Sequence, residues 1–65
     1  IQDYNGAKSD YNKAIKLGAN RAYVYYARGN SKVFLGQRDS ACKDFKKAEK
    51  LGFDDASLMV KRHCN

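Results

Sequence analysis

The chain has 65 residues, enough for one small domain, and a formal net charge of +6 from 13 Lys and Arg against 7 Asp and Glu. With 43% hydrophobic and 31% charged residues it has the composition of a globular chain and not of a disordered one, although a domain this small buries little surface and has little stability to spare. No apolar run is long enough to span a membrane, and no signal-peptide pattern occurs in these residues.

The chain begins at Ile1 and not at Met, which reads as an excised or processed piece with room for a targeting signal upstream. The positive balance permits nucleic acid, an anionic membrane surface or acidic peptides as partners. The simpler reading is a Lys-rich helix surface that keeps a small domain in solution.

There is no Pro, and five Gly divide the chain. Gly18 and Gly52 follow Lys16-Leu17 and Lys50-Leu51, the pattern of a helix that closes through a left-handed residue with a cation in its last turn. Two residues beyond each glycine stands an N-cap type, Asn20 or Asp54. These marks predict four helical segments: Tyr4 to Leu17 behind Asp3 as N-cap, Arg21 to Leu35, Arg38 to Leu51, and Asp55 to Cys64. Short connections, with a hinge at Gly36 between the second and third segments, make neighbours antiparallel.

In the first segment Ala7, Tyr11, Ala14 and Leu17 recur at helical spacing, and in the third Ala41, Phe45, Ala48 and Leu51 do the same. Lys43, Lys46, Lys47 and Lys50 mark the opposite, solvated face of the third segment, where Asp44 and Glu49 interrupt the positive field. A shift of 34 residues superposes Ala7 on Ala41, Asp10 on Asp44, Tyr11 on Phe45, Ala14 on Ala48, Leu17-Gly18 on Leu51-Gly52, Ala22 on Ala56 and Arg28 on Arg62. That period with a helix-turn-helix unit is the mark of a repeat architecture.

These residues carry a resemblance. The chain resembles the tetratricopeptide repeat (TPR) family, whose pattern runs aromatic-x2-Leu-Gly-x2-Tyr, then Ala-x3-Phe-x2-Ala, then Pro. Tyr25 and Gly29 fill the first-helix places; Ala41, Phe45 and Ala48 fill the second-helix places, as Ala7, Tyr11 and Ala14 do in the copy before. Sel-type repeats, usually of slightly longer period, come second. Three residues depart from the pattern: Arg28 for Leu, Lys32 for Tyr and Phe53 for Pro. Lys32 is expected to snorkel to the surface, so Arg28 and Lys32 should loosen the packing.

The resemblance implies an all-α fold of antiparallel hairpins in a TPR-like superhelix. It divides the chain into the second helix of a partial repeat (1–18), one complete repeat (19–52) and a capping helix (53–65), as at the C-terminal end of an array. The expected core is Tyr11, Ala14, Tyr25, Gly29, Ala41, Phe45, Ala48, Leu51, Leu58 and Met59. Tyr4, Ala7 and Tyr11 are left to pack on a further helix or to self-associate into a homo-oligomer.

Catalysis finds no support. His63 and Cys64, the one nucleophile-base pair of interest, point about 100° apart on a helix of about 3.6 residues per turn. One His and two Cys fall short of a zinc site, no glycine-rich phosphate loop occurs, and no cofactor is expected. Cys42 and Cys64 are either reduced, as is usual in a cytosolic protein, or bridged, which would close a loop of about 23 residues and pin the last helix at a gain of about 3 kcal/mol. Nucleic acid is disfavoured, because no aromatic is interleaved among the third-segment lysines.

In the family the first helices line the concave face. The resemblance therefore implies a partner face of Tyr23, Tyr26, Asn30 and Phe34, which fall on one side of the second segment. Asn30 matches one place of the clamp with which some members hold C-terminal carboxylates. Tyr26 stands where that clamp has Lys, so the function is not carried over. The reading is a non-enzymatic module for protein or peptide partners. Two alternatives stay open: a purely structural terminal piece of a repeat protein, and a basic nucleic-acid binder.

Overall fold

A computed structural model of the chain describes residues 3–64. Four α-helices follow one another: α1 (Tyr4–Lys16), α2 (Ala22–Phe34), α3 (Arg38–Lys50) and α4 (Asp54–His63). Among the described residues there is no strand, and the fold is all-α. Each helix packs on the next in sequence, most extensively α2 on α3, with α1 and α4 on the two outer sides. None is long and apolar enough to cross a membrane.

The turns explain this layout. Gly18 and Gly52 both have φ of 97°, a region that costs a side chain dearly. With it come paired bonds: Gly18 donates to the Ile15 carbonyl and Ala19 to that of Ala14, as Gly52 donates to Glu49 and Phe53 to Ala48. This Schellman closure satisfies the last carbonyls and reverses the chain within a few residues. Gly36 closes α2 in the same way, with Gln37 donating to Lys32.

The starts follow the sequence less closely. Asp3 caps α1 as expected, accepting at Oδ1 from the Gly6 amide at 2.9 Å. Asn20 and Asp54 do not cap. Arg21 and Phe53 hold the cap positions of α2 and α4 without a side-chain bond, and Asp54 lies inside the first turn of α4. There its charge, with that of Asp55, suits the positive end of the helix. Asn20 instead accepts from the Tyr25 hydroxyl at 3.4 Å.

The core is small and centred on α3. Phe45, Ala41, Ala48 and Ala56 are 0% exposed, with Ala27 and Gly29 buried beside them. Phe45 sits against Gly29 so closely that a Cβ added there would lie 2.7 Å from its ring. Tyr11, Ala14, Tyr25 and Met59 are only half-buried, and Leu51 and Leu58 are exposed (43% and 63%), against expectation. Leu51 is the C-cap of α3, past the last residue of the helix, and Leu58 stays open to solvent within α4.

Candidate functional site

Helix α2 presents two unlike faces. The inward one is charged. Arg28 donates from Nε to Asp44 Oδ2 at 2.8 Å and from Nη2 to Oδ1 at 2.6 Å, a two-pronged pair. Lys32 reaches the same carboxylate at 2.9 Å and donates to Ser40 Oγ at 2.8 Å. Asp44 is 4% exposed. Its hydrogen bonds hold the Arg28 guanidinium above the usual range, against the opposite pull of burial. Arg28 also donates from Nη1 to Asn12 Oδ1 at 3.0 Å, so one side chain ties α1, α2 and α3 together.

This corrects two readings of the sequence. Asp44 does not interrupt a basic surface; it is the buried acceptor between helices. Lys32 does not snorkel to solvent, and Arg28 and Lys32 do not loosen the pair. They replace an apolar contact with a triad whose long side chains converge on one acid. The triad left a trace in the sequence, since Arg28 and Lys32 are one helical turn apart and face an acid that recurs at the 34-residue shift.

The outward face is aromatic. Tyr23 and Phe34 are 60% and 66% exposed near the two ends of α2. Asn30 lies between them, half-buried. Tyr26 is half-buried, its ring 5.9 Å from Phe45 and 4.8 Å from Phe53. Phe53 stands edge-on to Tyr23 at 6.3 Å, and Tyr4 of α1 stacks on Phe34 at 4.4 Å. The four residues named from the sequence thus share a face, and Phe53 and Tyr4 extend it at either end. Phe53 stands out in the sequence only as a departure from the family pattern. The ring of Tyr4, which the sequence groups with Ala7 and Tyr11 as a self-association patch, stacks on Phe34.

Residues 22–52, the span of α2 and α3, match the model of the tetratricopeptide repeat. This segment is a tetratricopeptide repeat. The match begins at the first residue of α2 and ends on Gly52, the left-handed glycine behind α3, so the repeat is the hairpin that encloses the Arg28–Asp44–Lys32 triad. No solved structure matches the chain. Tetratricopeptide repeats generally mediate contacts between proteins, and the chain carries that scaffold.

Cys42 of α3 and Cys64, the C-cap of α4, are joined by a disulfide with Cα atoms 5.5 Å apart. His63 beside it stacks on Phe45, with ring centroids 6.0 Å apart. His63 and Cys64 are thus engaged with different partners on α3. Among the described residues no group of three or more His, Cys, Asp or Glu is placed to hold a metal.

Proposed function

We propose that the chain is a non-enzymatic protein-interaction or assembly module that takes a peptide or partner protein on the outward face of α2, through Tyr23, Tyr26, Asn30 and Phe34. The observation behind this reading is the exposed aromatic surface at both ends of one helix of a tetratricopeptide repeat. Aromatic rings give rigid contact area at low entropic cost, and the Asn30 amide can bond a peptide backbone. Tyr23 and Phe34 lie about 16 Å apart along the axis at about 1.5 Å per residue. An extended segment of about five residues, apolar at both ends, covers that length at about 3.3 Å per residue.

The test begins with selection from a random peptide library against the whole chain. A selected peptide should lose at least tenfold in affinity to the double variant Tyr23→Ala, Phe34→Ala, whose circular dichroism should be unchanged. Undiminished affinity in that variant would remove this face from the function.

A second reading has its own support. Tyr26 is packed by Phe45 and Phe53, and Phe34 by Tyr4, so part of the aromatic surface is used within the chain. In that reading residues 1–18, 19–52 and 53–65 are a half-repeat, a full repeat and a cap, with a structural role alone.

A further inference from the structure

Side-chain polar bonds hold α1 to α2 and α2 to α3. Arg28 of α2 reaches both Asn12 of α1 and Asp44 of α3, and Lys32 adds Ser40. Among the described residues no side-chain hydrogen bond or ion pair joins α4 to another helix. The disulfide Cys42–Cys64 stands in their place. The rest of the contact is slight: Ala56 is the one buried residue of α4, Met59 and Val60 are half-buried, and His63 lays its ring on Phe45. A helix of 10 residues does not hold itself together in water. α4 also reaches the outward face of α2, because its N-cap Phe53 packs against Tyr23 and Tyr26. The bond from the Phe53 amide to the Ala48 carbonyl fixes where the chain leaves α3, and the way it turns from there is set by α4. Cys42 and Cys64 are half-buried, within reach of a thiol from solvent.

We infer that Cys42–Cys64 is a redox latch on the outward face of α2, opened by a dithiol reductant. A thiolate of the reductant attacks one sulfur of the bridge, and the other cysteine leaves and takes up a proton. The second thiol of the reductant then displaces the remaining cysteine. Two electrons and two protons pass to Cys42 and Cys64, and the reductant ends as a disulfide. Without its tie, α4 releases His63 from Phe45 and Phe53 from Tyr23 and Tyr26, and reoxidation returns both. The aromatic face is complete only in the oxidised chain. The latch itself does not depend on what that face binds; its effect on a partner rests on the peptide reading above.

The test compares the whole chain with and without reduced dithiothreitol, by NMR. On reduction, amide exchange from Asp54 to His63 should rise about a hundredfold, the size expected when a loop of this length loses its cross-link. Exchange in α2 and α3 should hardly change, and contacts between the Tyr26 and Phe53 rings should vanish. The double variant Cys42→Ser, Cys64→Ser should show the released state with or without reductant. A selected peptide that needs Tyr23 and Phe34 should bind the reduced chain about fivefold more weakly, the worth of a lost aromatic contact. Unchanged exchange in α4, or an equal rise in all four helices, would overturn the latch. Unchanged peptide affinity with α4 released would overturn its control of the face. Failure to select any peptide that needs Tyr23 and Phe34 would count against the peptide reading, while the exchange comparison still decides the latch.

Discussion

The two faces of α2 reverse the usual allotment of an amphipathic helix. Its cations, Arg28 and Lys32, point into the protein, while Tyr23 and Phe34 point out. The inward face can be charged because one buried acid satisfies both cations and the small residues around it bring α2 and α3 close enough for them to reach it. The outward face has no comparable internal demand: its outer rings are only partly used by Phe53 and Tyr4. In the function proposed above, stability and binding are divided between opposite sides of a single 13-residue helix.

The comparison is broken most severely at Asp44. Asp44→Ala should cost about 3–5 kcal/mol, because it leaves two inward cations without their acid; urea denaturation measures it. In a domain this small that is most of the stability, whereas Asp10→Ala at the equivalent exposed place should stay within about 0.5 kcal/mol. Cys42→Ser with Cys64→Ser should cost about 3 kcal/mol by the chain-entropy argument and loosen α4, read as faster amide exchange from Asp54 to His63. Because Phe53 at the head of α4 supports Tyr23 and Tyr26, that variant also tests whether the outward face needs the last helix. Gly29→Ala should cost about 1–3 kcal/mol, since the Phe45 ring it meets is enclosed by Tyr26 and His63 and cannot move aside freely; a thermal melt suffices.

Much of this was legible in the residues. The glycines at 18, 36 and 52 and the apolar spacing of Ala41, Phe45 and Ala48 carry the four helices and the repeat, because turn chemistry and helical period are local. The helix starts were harder: Asn20 and Asp54 are good cap types, but the turn geometry gives the cap positions to Arg21 and Phe53. The triad is hidden in the sequence because Arg28 and Lys32, each taken alone, only depart from an apolar pattern, and their acid belongs to the other helix. Leu51 and Leu58 follow the right period yet are exposed, since periodicity gives a side without showing whether a neighbour covers it. Register puts Tyr23, Tyr26, Asn30 and Phe34 on one side of α2, but the stacking of Tyr4 and Phe53 there joins residues distant in the chain.

The division of labour on α2 is tested most directly by comparing two double variants in urea denaturation. Arg28→Ala with Lys32→Ala should cost about 3 kcal/mol or more, because it strands Asp44. Tyr23→Ala with Phe34→Ala should cost about 1 kcal/mol, mainly the stack with Tyr4. A larger loss from the aromatic pair than from the charged pair would contradict the account.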